Sequence, residues 1–226
     1  MNKKVFFNLL LVLTIGFSAC NKENDPIDEN PYSTLTQSEI VSLLNVSWLK
    51  SLNVPEVRQI DTVRNVNDDY VFRNDVRILE INRNQKKSLE VAKNNDGSTR
   101  LFFYIENLIR FAYRFEADMS EPTQIRTTLG ENFWDIYYYT LTNFGSHGYE
   151  NYTWSVKGRL FTGIEKREKV NIICTVKLNE NEQLISVEHT NDMYVNTGIF
   201  IKFSYESINP KFPESFDKDD FIYESE

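Results

Sequence analysis

Between about residue 68 and residue 206 apolar positions recur with a period of two, while ahead of that stretch they recur with a period near 3.6. Ile40, Leu44, Trp48 and Leu52, with Leu43 beside them, share one side of a helical projection. Thr36-Gln37-Ser38-Glu39 has the spacing of a capping box, in which the Thr hydroxyl serves the third helical amide and Glu39 reaches back. The spacing predicts a helix starting at Gln37, with its stripe laid on a sheet, bounded by Pro55.

The period-two region predicts strands. Ile109, Phe111, Tyr113 and Phe115 alternate with Leu108, Arg110, Ala112 and Arg114. Trp154, Val156 and Leu160 line one side of a strand that includes Gly158, and Ile199, Ile201, Phe203 and Tyr205 repeat the pattern. Turn-forming residues separate such runs at Asn94-Asn95-Asp96-Gly97, Asn143 to Gly148, and Asn179-Glu180-Asn181-Glu182, where Asn, Asp and Gly tolerate positive φ. Roughly nine or ten strands follow from this count. No stretch between them is long and amphipathic enough for a crossover helix, so sequence neighbours should pair antiparallel. The expected fold is α+β and predominantly antiparallel β, a curved sheet or a half-open or closed barrel with the N-terminal helix on its inner face. It should occupy residues 36–226 as one domain. Pro210 and Pro213 stop the ladder, and the acidic and aromatic tail beyond them should wrap a sheet edge or fray.

The run Phe133 to Tyr139, read as a strand, sends Phe133, Asp135, Tyr137 and Tyr139 to one side and Trp134, Ile136 and Tyr138 to the other. One side must be core. The other packs on a second layer or, through Trp134 and Tyr138, offers a stacking platform for sugars.

The N-terminus has a different character. Asn2, Lys3 and Lys4 form a cationic head, Val5 to Ile15 an apolar run shorter than a bilayer span, and the run ends in Gly16-Phe17-Ser18-Ala19-Cys20. This arrangement resembles the leader and lipobox of bacterial lipoproteins, with Phe17 where Leu is usual. The resemblance implies that residues 1–19 are a cleaved signal peptide and that Cys20 carries diacylglycerol and an N-acyl chain such as palmitate. One chain anchors marginally; two or three hold firmly. Asn21, where Asp would mark inner-membrane retention, implies an outer-membrane address. Lys22-Glu23 and Asp25 are either a cell-surface export signal or a solvated linker, so the periplasmic face and the cell surface both stay open. Residues 20–35, with Pro26, Pro31 and few large apolar groups, read as a flexible tether.

The chain has a net charge of −8, and loss of Lys3 and Lys4 with the leader makes the mature protein more acidic still. Such a surface repels phosphate backbones, so nucleic acid is not an expected partner. With Cys20 lipidated, Cys174 has no disulfide partner. It shares the apolar register of Val170, Ile172 and Val176, which makes it a buried small hydrophobe rather than a nucleophile. The chain has two histidines. His147, in Gly145-Ser146-His147-Gly148, sits where glycines let a ligand approach, and is a candidate contact; His189, in register with Ile185 and Val187, reads as a core or strand-end residue. No phosphate loop, calcium loop or zinc-binding cysteine pair is present, and no metal or cofactor is expected. Paired carboxylates leave no local spacing to find.

A capped helix followed by a long meander in an exported chain resembles the half-barrel of periplasmic lipoprotein carriers and mycobacterial lipid-binding lipoproteins. The likeness covers element order over about residues 36–216 and implies an apolar cavity for acyl chains. The leading expectation is a membrane-anchored, non-enzymatic binding module whose partner is a glycan, a lipid or another envelope protein. The alternatives are a carrier of lipid or another hydrophobic ligand, with a cavity beneath the helix, and a glycan-directed hydrolase, with convergent carboxylates or His147 in a cleft.

Overall fold

The structure is a computed structural model that describes residues 30–66, 72–115, 119–136, 148–193 and 197–224. Helix α1 runs over Gln37–Leu52 with the expected capping box: Glu39 N donates to Thr36 Oγ1, and Thr36 N donates to Glu39 Oε2 at 2.8 Å. Ile40, Leu44 and Trp48 of the apolar stripe are buried.

Twelve strands form one sheet in the order β12-β6-β5-β4-β3-β2-β1-β11-β10-β9-β8-β7. They are β1 Glu56–Val66, β2 Phe72–Asn82, β3 Lys87–Lys93, β4 Thr99–Glu106, β5 Ile109–Arg114, β6 Thr123–Thr128, β7 Thr153–Lys157, β8 Leu160–Lys166, β9 Asn171–Leu178, β10 Leu184–Asn191, β11 Gly198–Ser204 and β12 Ile222–Tyr223. The sheet is mostly antiparallel, curved and open, with β7 and β12 as its two edges. Three expectations change here. The strands outnumber the nine or ten read from the sequence, because β1 and β12 lie outside the stretch of period-two alternation and β7 and β8 read as one strand through Gly158. The sheet does not close into a barrel. The meander breaks between β6 and β7, which lie at opposite ends, and the halves meet instead through the long-range antiparallel pair of β1 and β11. The tail does wrap an edge: β12 pairs in parallel with β6.

The turns at 94–97 and 179–182 lie where expected, closed by Asn94 N donating to Ser98 O and Asn179 N donating to Gln183 O. Gly158 is not inside a strand. It takes φ +56° in the turn between β7 and β8, so Leu160 belongs to the next strand and is exposed. A register shift between Leu184 and Ser186 puts Leu184, rather than Ile185, into the core. Such bulges add local bend and twist to a sheet.

Cross-strand register assigns side chains to two faces. On the helix side stand Val57, Gln59 and Asp61 of β1, Ile81, Leu79 and Arg77 of β2, Ser88 and Glu90 of β3, Phe103 and Ile105 of β4, Arg110 and Ala112 of β5, and Ile125 and Thr127 of β6. The face continues in the other direction through Ile201, Val187, Val176, Phe161 and Trp154. Helix α1 lies on that second half, and its Ile40, Leu44 and Trp48 share one core with Val57, Leu79 and Ile81 of β1 and β2 as well as with Trp154, Phe161, Leu184, Ile201 and Phe203. A second core lies on the opposite face, where Val91, Phe102 and Phe111 are covered by tail residues Phe212, Phe216 and Phe221. Phe102 sits 4.8 Å from the Phe216 ring centroid and 5.8 Å from that of Phe221. Lys218 fastens the tail, donating to Glu106 Oε2 at 2.8 Å and lying 5.4 Å from the ring centroids of Tyr104, Phe111 and Phe212.

Free edge β7 is blunted by side chains. Gln37 Nε2 donates to Trp154 O at 2.9 Å while its Oε1 accepts from Trp154 N at 2.7 Å, and Asn30 Nδ2 donates to Val156 O. Satisfied edge groups offer no template to another strand. No helix among the described residues is long and apolar enough to cross a membrane.

Candidate ligand-binding face

On β1, β2 and β3 the helix-side face carries buried polar groups beside the core residues Val57, Leu79 and Ile81. Gln59 is 2% exposed, and Asp61 and Glu90 are each 6% exposed. Gln59 Nε2 donates to Asp61 Oδ1 at 2.5 Å, and Arg77 forms an ion pair with Glu90. Asp61 stands directly across from Arg77, and Gln59 across from Leu79, which in turn faces Glu90. Burial pushes the Asp61 carboxyl up, against the opposing pull of Gln59 and Arg77. Burial pushes Glu90 up as well, against Arg77, with the nearby Asp61 charge adding to the rise. Gln59 Oε1 is buried with no hydrogen-bond partner. The site therefore holds two carboxylates, one guanidinium and one orphaned acceptor, with half-buried Phe103 across from Glu90.

Sequence reasoning missed this set for a physical reason. Along β1 both sides of the alternation are mixed, Val57, Gln59, Asp61 and Val63 against Arg58, Ile60, Thr62 and Arg64, so neither side declares itself as interior.

Of the residues singled out from the sequence, Cys20, Tyr138 and His147 lie outside the described residues. Trp134 does not sit on a strand. Phe133–Ile136 form a short helical turn, α2, in place of the alternating strand expected there, and Trp134 Nε1 donates to Asn107 O in the β4–β5 turn.

Cys174 and His189 meet on the helix side, with Sγ 3.8 Å from Nε2 and the Tyr152 hydroxyl 3.4 Å from Nδ1. The chemistry is quiet. Burial pushes the Cys174 thiol up to about 12 and holds the His189 imidazole below its usual value, which favours the neutral forms of both. A reactive cysteine needs the reverse, a thiolate beside a cation. Both residues read as the sequence suggested, as core. Among the described residues no group of His, Cys, Asp and Glu is arranged to hold a metal.

A separate polar cleft of about 440 Å³ is lined by Pro31, Tyr32, Arg159, Glu180, Asn181 and Glu182. Its cation is already engaged, since Arg159 Nη1 donates to Tyr32 Oη and Asn179 O, each at 3.1 Å.

No sequence profile of a known protein family matches the chain, and no curated protein matches it. Among solved structures the chain is similar to a LolA superfamily protein of Nitrosomonas europaea, at 9% identity and a TM-score of 0.29, covering 82% of this chain and 99% of that one.

Proposed function

We propose that this chain is a lipid-anchored, non-enzymatic binding module of the outer membrane, and that it seats a glycan on the helix-side face of β1 to β6. The observation carrying this reading is the buried set of Gln59, Asp61, Arg77 and Glu90. Buried charges of this kind are weak contributors to stability, because desolvation offsets their attraction, and apolar residues of the same volume serve a core as well or better. Two carboxyls with raised pKa and an acceptor left unpaired mark a surface arranged for something other than packing. A hydroxyl-rich ligand supplies the donor that Gln59 Oε1 lacks, and Phe103 supplies an apolar surface for a sugar ring. Lipid on Cys20 would hold the module at the membrane. A glycan array probed with the exported, detergent-purified protein tests the reading: bound oligosaccharides should be lost in Asp61→Asn and Glu90→Gln variants, and an array with no hits would overturn it. Labelling with a palmitate analogue should mark the wild type and not Cys20→Ser.

A second reading, a carrier of hydrophobic ligands, draws on the strip of Phe103, Ile105, Ala112 and Ile125 that runs across the same face. The stripe beneath α1 is filled by core side chains, so this strip is where such a ligand would lie. Native mass spectrometry separates the two readings: a lipid mass retained by the folded protein supports the carrier, and a bare polypeptide removes it.

A further inference from the structure

The polar set at β1 to β3 has a counterpart on the far side of the same face. Arg110 of β5 stands directly opposite Thr127 of β6, which places their β-carbons roughly 4.5–5.5 Å apart. Thr127 is 5% exposed, and its Oγ1 and the Nε of Arg110 are buried without a hydrogen-bond partner. No carboxylate among the described residues forms an ion pair with Arg110. A guanidinium N–H beside a hydroxyl is a two-donor seat for an oxyanion, and such charge-assisted hydrogen bonds are among the stronger ones. Leaving both donors unpaired and buried costs free energy that an incoming anion removes.

We infer that Arg110 and Thr127 receive the acidic group of the ligand, the carboxylate of a uronic acid or the sulfate of a sulfated sugar, while Gln59, Asp61 and Glu90 accept from hydroxyls further along the same chain. This rests on the binding-module reading above. β1 and β5 are four strand spacings apart in the sheet, roughly 19 Å, so the ligand must be polar at both ends of an extended span. An acidic oligosaccharide meets that requirement. An anionic lipid, whose acyl chain would lie along Phe103, Ile105, Ala112 and Ile125, has no donor to offer Gln59 Oε1 at the far end. The carboxylates of this face, Asp61, Asp75 and Glu90, stand on β1 to β3, with Glu90 paired to Arg77, while Arg114 stands beside Arg110 on β5, so the net negative charge of the protein is not repeated around the seat.

The test follows the Nε–Hε resonance of Arg110 in the exported, detergent-purified protein carrying 15N-arginine, assigned by its loss in Arg110→Lys. Titrants are sodium glucuronate and sodium sulfate, with glucose as neutral control and ionic strength held by sodium chloride. The inference expects a saturable shift with glucuronate or sulfate, whichever acid the seat prefers. In Thr127→Val, which keeps the shape, binding should weaken by about two- to tenfold, the worth of one hydrogen bond. No saturable shift with either anion, or an identical titration in Thr127→Val, overturns it. Array hits confined to neutral glycans and indifferent to Arg110→Lys would overturn this inference while leaving the module reading intact. Loss of every array hit while Arg110 still titrates would instead strike the module reading, and the acidic-sugar assignment with it.

Discussion

The indole of Trp154 occupies the space that a β-carbon on Gly163, directly across from it on β8, would need. An added methyl group would stand 2.8 Å from Tyr152 Cβ and 3.0 Å from Trp154 ring atoms. The clash falls on the junction that ties α1 to the sheet, since Trp154 also donates its indole N–H to Tyr149 O and has its backbone held by Gln37. Gly163→Ala should therefore destabilise by about 1–3 kcal/mol through overpacking, seen as a lowered midpoint in urea. An unchanged midpoint would mean that the indole relocates freely.

Two serines on α1 give opposite expectations. Ser51 Oγ donates to Ser47 O at 2.7 Å and accepts from Leu184 N at 2.7 Å, joining the helix to the bulged start of β10. Ser51→Ala strands a buried amide and should cost about 1–3 kcal/mol. Ser47 is equally buried, but its hydroxyl has no partner. Ser47→Ala should be neutral or stabilising, and equal losses at the two positions would contradict the hydrogen-bond assignment.

The tail belongs to the fold. Phe221 is buried among Phe102, Phe111 and Phe212 on the face opposite the helix. Phe221→Ala should cost about 3–5 kcal/mol and raise binding of a hydrophobic dye. Stability indistinguishable from wild type would show that the tail does not hold the second core.

The buried carboxyl of Asp61 gives a pH dependence of unusual sign. Its folded pKa lies above the ordinary 3.8, chiefly from burial. The folded state therefore binds the proton more tightly than the unfolded chain, and this group's contribution to stability falls as pH rises from about the unfolded value through the folded one. At neutral pH, where the wild type keeps a charge in the interior, Asp61→Asn should be the more stable protein. That advantage should shrink as pH drops through the folded pKa and vanish below the unfolded one. Denaturation midpoints of the pair across pH 3 to 8 check this, and an advantage that grows on acidification would contradict it.

What could be read from the sequence was whatever repeats locally. The capping box at Thr36 and Glu39, the stripe of Ile40, Leu44 and Trp48, the turns at 94–97 and 179–182, and the inward register of Cys174 depend on spacings of a few residues, and the structure has them. The pairing of β1 with β11 spans most of the chain and leaves no local trace. The helical turn at Phe133–Ile136 defeated an alternation argument because aromatic residues lie on both sides of either period. The polar set stayed hidden because the core changes sides: β3 to β5 present Val91, Phe102 and Phe111 to the tail, while on the helix side of β1 to β3 Gln59, Asp61 and Glu90 are interleaved with Val57, Leu79 and Ile81.

The most direct test of the central claim is a calorimetric titration of the strongest array glycan into the wild type and the Asp61→Asn/Glu90→Gln double variant, with Arg159→Gln in the separate cleft as control. The account predicts affinity weakened about tenfold or more in the double variant, the loss expected for two charge-assisted hydrogen bonds, and affinity unchanged in the control. Unchanged affinity in the double variant, or a loss that follows Arg159→Gln, would contradict the placement of the ligand on the helix-side face.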